Sequence, residues 1–137
     1  MKIKNIFDIA GRAMAAQMVR LNTISSNLAN AGATTGDPET VYKPLKPEFK
    51  TQYSENVKKN GISTVNVSKV VELQKDPFKI FDPNHPLADG DGFIYKAPIN
   101  VEEEMVDMMD ASRQYQNNVE VITTLKALTL KTINLGK

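Results

Sequence analysis

The chain of 137 residues contains no cysteine, no tryptophan and a single histidine. Without cysteine, disulfides, thiolate zinc sites and cysteine nucleophiles are excluded together. One imidazole excludes histidine-rich metal sites. An excess of one charge is also missing: 17 Lys plus Arg face 16 Asp plus Glu, a formal net charge of +1. That balance argues against a nucleic-acid partner, because phosphate contacts need clustered cations. No apolar run approaches the ~20 residues that span a bilayer, so no membrane insertion is expected. Lys2 and Lys4 precede Asn5, Asp8 and Arg12, which interrupt what would be the apolar centre of a signal peptide. Any export is therefore expected to proceed without a cleaved signal. With 41% hydrophobic and 24% charged residues, the composition is that of a folded chain.

Helix breakers are confined to the middle. All seven prolines (38, 44, 47, 77, 83, 86 and 98) and five of seven glycines (32, 36, 61, 90 and 92) lie there. Between Ile99 and Leu135 there is neither. Since proline breaks helices and glycine weakens them, the chain reads as helix, irregular or β middle, helix.

In the first flank, Ile3, Phe7, Ala10, Met14, Leu21, Ile24, Leu28 and Ala31 recur at alternating spacings of three and four, with Gln17 the polar interruption. Such a heptad seam predicts a narrow coiled-coil stripe. In the last flank, Val101, Met105, Met108, Ser112, Tyr115, Val119 and Ile122 keep the same rhythm, and Leu125 and Leu128 continue it one position displaced. Glu102, Glu103, Glu104, Asp107 and Asp110 crowd its start and Lys126, Lys131 and Lys137 its end, an order that suits the helix dipole. The middle predicts short strands at 62–73, 78–81 and 93–95, an Asn60-Gly61 hairpin turn, and an extended stretch over 32–48. The expected fold is mainly α with a small β lobe. The two helices form an antiparallel coiled-coil-like pair, and a Pro/Gly-rich β-hairpin insertion lies between them.

Catalytic chemistry finds no frame. His85 sits between Asn84 and Pro86 in a turn, with no Ser or Cys partner in a recognised motif. Asp82, Asp89 and Asp91 lack EF-hand spacing and read as turn formers. The Gly32–Gly36 stretch is followed by Asp37 rather than Lys, so it is no phosphate loop. Ser25 and Ser26 lack a nucleophile elbow. Met105, Met108 and Met109 read as packing side chains. No enzymatic activity, cofactor, metal or small-molecule substrate is expected. Narrow apolar stripes over nearly half the chain bury little by themselves, so their packing is expected to be completed by other subunits. A small coiled-coil adaptor that binds a partner helix is the alternative.

Ser25-Ser26-Asn27-Leu28-Ala29-Asn30-Ala31 followed by Thr34-Thr35-Gly36 resembles the N-terminal signature of bacterial flagellar axial proteins. Glu103-Glu104-Met105-Val106-Asp107-Met108 with Ala111-Ser112-Arg113-Gln114-Tyr115-Gln116-Asn117-Asn118 resembles their C-terminal one. His85-Pro86-Leu87-Ala88-Asp89, leading through Gly92-Phe93-Ile94-Tyr95 into the last helix, is similar to the short proximal-rod members of that rod and hook family. The resemblance implies a structural subunit, exported unfolded through the flagellar type III apparatus and packed helically with copies of itself and other rod subunits. It implies location in the basal body, in the rod that crosses the cell-envelope space. Residues 1–31 and 99–137 would form one axial helical domain, and residues 32–98 an extended loop and small lobe. The stripe residues would hold the pair together and seat it against neighbours.

Overall fold

The computed structural model describes residues 3–52 and 64–135; the expected Asn60-Gly61 turn lies outside them. Helix α1 runs over Ile3–Asn30. The chain then forms strand β1 (Thr34–Thr35), one 3-10 turn (Pro38–Thr40), β2 (Leu45–Gln52), β3 (Thr64–Glu72), β4 (Phe78–Phe81) and β5 (Phe93–Lys96). Helix α2 closes the chain over Val101–Leu135. Two long helices with two small antiparallel sheets make the molecule mainly α with a β lobe.

Local chemistry accounts for the helix ends. The Asn30 amide folds back onto the Ser26 carbonyl at 2.8 Å, and Ala33 N–H reaches the Asn30 carbonyl, so the last turn of α1 satisfies its own acceptors. At the start of α2, Asn100 Oδ1 accepts from the N–H groups of Glu102 and Glu103 at 3.1 and 3.4 Å. That is an N-cap, and Glu102, Glu103 and Glu104 in the first turn meet the positive end of the helix dipole. Further along α2, the side chains of Asn118, Thr123, Thr129 and Thr132 each return a hydrogen bond to the carbonyl four residues back. Polar residues mid-helix thus bond their own backbone.

The helices are antiparallel. Gln17 meets Gln114, Arg20 meets Asp107 and Asp110, and Asn27 meets Glu104. α1 also packs against the two-stranded sheet of β2 and β3, whose register pairs Leu45 with Glu72 and slips at Glu48/Phe49 in a bulge. The second sheet has the order β1-β5-β4. Its middle strand leads through buried Ala97, Pro98 and Ile99 into α2.

The core is small and built from small side chains. Ala31, Val41, Ala97 and Ile99 form its main cluster, with Tyr42 and Tyr95 packed against them. Ala10, Ala16, Ile24 and Ala111 are buried along the helices. Alanines let the helix backbones approach closely, but each removes little apolar area from water.

Candidate assembly surface

Asn27 is the junction of the fold. It is 2% exposed and uses every hydrogen-bonding position of its amide. Nδ2 donates to the Leu45 carbonyl at 3.0 Å and to Glu104 Oε1 at 3.1 Å. Oδ1 accepts from Leu45 N–H at 2.8 Å and from the Tyr42 hydroxyl at 3.2 Å. One side chain therefore ties α1 to the start of β2 and to α2. Burial raises the pKa of Glu104, against the Asn27 hydrogen bond that favours its carboxylate, and nearby Asp107 raises it further. Tyr42 is raised chiefly by burial and then by Glu104.

Between the helices the bridging contacts are polar. The Arg20 guanidinium reaches Asp107 Oδ1 at 3.0 Å and Asp110 Oδ2 at 3.6 Å. Gln17, the interruption in the expected apolar stripe, donates to Gln114 Oε1 at 2.8 Å, and Gln114 donates in turn to Asp110. In α1, Ala10 and Ile24 are buried, and Phe7, Met14, Leu21 and Leu28 half-buried; Ile3 opens the helix. In α2 the sheltered row is Glu104, Met108, Ala111, Ser112, Tyr115, Asn118, Ile122, Leu125 and Thr129.

The expected seam of α2 therefore needs correction as an interhelix face. Met108, Tyr115, Ile122 and Leu125 lie in the sheltered row, whereas Val101, Met105, Val119 and Leu128 stand exposed. The reason is rotational. Hydrogen bonds from Asn27 and Arg20 pull Glu104 and Asp107 toward α1, which turns the apolar row to one side. Met105 is 55% and Met109 65% exposed, and a shallow groove of about 340 Å³ runs between Met108, Met109, Ser112, Arg113 and Gln116.

The loop motif folds against the end of the first signature. A Cβ added to Gly36 would lie 2.5 Å from the Leu87 carbonyl oxygen, so only glycine lets these two segments touch. Leu87 N–H donates to His85 Nδ1 at 3.1 Å, which makes the imidazole a turn brace. The Asp89 carboxylate accepts from Phe93 N–H at 2.8 Å, Asp91 N–H at 3.0 Å and the Tyr95 hydroxyl at 3.0 Å. These bonds, the one from Phe93 foremost, hold its pKa below the usual carboxylate value, and the hydrogen bond to Asp89 raises that of Tyr95. Gly92 closes the loop at φ 81°, in the left-handed region, tight against Phe81 and Pro83.

Of the other motif residues, Ser26, Asn30 and Thr35 are half-buried, and Ala29, Pro86 and Arg113 are exposed. Sequence reasoning missed Asn100, whose position three before Glu103 is a capping signal. It also missed buried Ala16 and Thr23, which lie off the heptad seam. Among the described residues, no group of three or more His, Cys, Asp or Glu is placed to hold a metal ion, and no helix is long and apolar enough to cross a membrane.

A two-helix rod with a small core, polar cross-links and an uncovered apolar flank is the architecture of a structural protein that completes its packing in an assembly. Comparison with known proteins makes the class specific. The family model described as flagella basal body rod protein matches residues 7–36, and that of the flagellar basal body rod FlgEFG protein C-terminal region matches residues 91–135. The flagellar basal-body rod protein FlgC of Salmonella typhimurium is 42% identical over 137 residues, covering 100% of both chains. That of Escherichia coli is also 42% identical, and that of Yersinia enterocolitica 39%, each over 100% of both chains. The chain belongs to the FlgC family of flagellar basal-body rod proteins. It is a structural protein, not an enzyme.

Proposed function

We propose that the chain is a structural subunit of the bacterial flagellar basal-body rod, in the proximal part of the shaft that transmits motor torque to hook and filament. The single observation that carries this reading is the 42% identity to FlgC over the whole of both chains. The geometry supports it, because α2 leaves Val101, Met105, Val119 and Leu128 uncovered for neighbours. Similarity along the full length, helices included, disfavours the adaptor reading.

In this reading residues 1–31 and 99–137 act as one axial, coiled-coil-like domain, and residues 32–98 form the outer lobe with its β-hairpin insertion. The chain is exported through the flagellar type III apparatus without a cleaved signal, and it packs helically with copies of itself and other rod subunits. Its place is the basal body, where the rod crosses the periplasmic space.

Electron microscopy of basal bodies from a deletion strain, with motility scored in parallel, tests the reading. The expected result is loss of swimming with membrane rings present, the rod truncated and the hook absent. Intact rods and normal swimming in a strain without a second copy of the gene would reject it.

A further inference from the structure

The β lobe presents an open sheet edge. Strand β4 pairs with β5 on one side, and no other strand adjoins it among the described residues. Asp82 N–H donates to the Gly92 carbonyl at 3.0 Å, and the register sets Phe81 opposite Phe93 and Ile80 opposite Ile94. In an antiparallel ladder the backbone groups of successive residues point to alternate sides of the strand. The bonds of Phe78 and Ile80 therefore go to β5, and the N–H and C=O groups of Lys79 and Phe81 point away from it. Among the described residues no hydrogen-bond partner meets these four groups.

Sheet edges are ordinarily blunted by charge, proline, bulges or a covering element. Pro77 and Pro83 flank β4 and confine any added strand to the span between them. Within that span the edge is not blunted: all four residues are exposed, Phe78 at 51% and Phe81 at 65%. Cross-strand neighbours share a face, so Lys79 and Phe81 lie with Tyr95 and Phe93 on one side of the sheet, and Phe78 and Ile80 on the other. Phe81 meets Phe93 edge-on with ring centroids 5.1 Å apart, and the Lys79 ammonium stands 3.9 Å from the Phe93 ring centre. Lys79 forms no salt bridge among the described residues. The Asp89 carboxylate beside Tyr95 already accepts from Phe93, Asp91 and Tyr95.

We infer that β4 is a docking edge for an extended segment of another protein, which adds antiparallel to it and carries two apolar residues followed by an acid. Two outward N–H and C=O pairs call for a strand, because a helix spends its backbone groups internally. In the added strand the first apolar residue lies against Phe81. The second packs on Ile80 beside Phe78, and the acid meets the unpaired ammonium of Lys79. A second copy of β4 complements this edge less well. Paired antiparallel about Ile80, it would set Lys79 opposite Phe81 of the other copy and bring no acid to either lysine. The contact concerns the lobe alone, and it stands or falls apart from the rod reading.

The probe is the peptide acetyl-Thr-Val-Ile-Glu-Thr-amide, titrated into the isotope-labelled full chain and followed through the backbone amide resonances. The expected result is saturable movement of the Lys79 and Phe81 amides, whose N–H groups gain acceptors, larger than movement elsewhere in the chain. N-methylation of the peptide's Val and Glu removes the donors to the Phe81 and Lys79 carbonyls and is expected to abolish that movement. Replacing the peptide's Glu by Lys exchanges an exposed ion pair for repulsion and is expected to weaken binding roughly threefold or more. Lys79→Glu in the chain is expected to reverse this preference. No movement at the edge, equal binding of the methylated peptide, or an unreversed preference would each overturn the contact. Movement of the same amides on concentrating the chain alone would give the edge to a second copy and overturn it too. None of these outcomes bears on the rod reading, which the deletion strain decides.

Discussion

Asn27 shows how much one buried side chain can hold. Its four hydrogen bonds satisfy Leu45 N–H, the Leu45 carbonyl, the Tyr42 hydroxyl and Glu104. Asn27→Ala leaves all of them unpartnered in a partly buried site, and unsatisfied buried groups cost about 1–3 kcal/mol each where water cannot replace the bond. A loss of about 2–4 kcal/mol is expected, read as a lower thermal midpoint, and an unchanged midpoint would show that the junction is dispensable. Glu104 adds a pH signature. Burial raises its folded pKa above the ordinary value of 4.5. Between the two values the folded state therefore binds more protons than the unfolded one, and stability falls as pH rises. Glu104→Gln removes the charge, so it is expected to raise the thermal midpoint at pH 7 and to change it little at pH 4. A midpoint difference independent of pH would assign the effect to packing. Asp89 works in the opposite direction, because its pKa is lowered by the Phe93 N–H and the other bonds it accepts. Its contribution is present above the ordinary aspartate value and is lost as pH falls through the lowered one.

At the scale of elements, the two signature segments far apart in sequence meet where Gly36 lies under Leu87. Gly36→Ala places its Cβ 2.5 Å from a carbonyl oxygen, and backbone cannot swing aside as a side chain does. The substitution is expected to cost about 1–3 kcal/mol by overpacking and to shift backbone amide resonances in both 34–37 and 85–89. Shifts confined to one segment would show that they are not coupled. The outline of this fold was legible because its signals are local. Proline and glycine placement marks the two helices, and β-branched runs mark β3. The rotation of α2 was not legible. A heptad pattern ranks positions by hydrophobicity, and here Asn27, Arg20 and Gln17 orient the pair through polar partners, so sheltered Glu104 and Asn118 displace Met105 and Val119. Asn27 was visible only as part of a motif. Nothing near it in sequence points to Leu45 or Glu104, since the junction exists only once three elements converge.

For the whole molecule, the balance between what is buried and what is uncovered separates folding from assembly. Among the described residues no large side chain is below 2% exposure, and the buried helical members are mostly alanine, so the free subunit gains little per residue from burial. Large apolar side chains are instead spread over the flank and end of α2. Two classes of substitution should therefore part company. Leu28→Asp and Met108→Asp place a charge at half-buried positions, where desolvation without a partner is costly, and both are expected to lower the thermal midpoint of the free chain and to block rod formation. Met105→Asp changes an exposed position, so the free chain should melt within about 0.5 kcal/mol of the parent while rods fail to form and swimming is lost. Calorimetry of the purified variants beside electron microscopy of basal bodies separates these outcomes. Normal rods with Met105→Asp would mean that this flank faces solvent in the assembly. Normal rods with all three would mean that neither helix face is an interface.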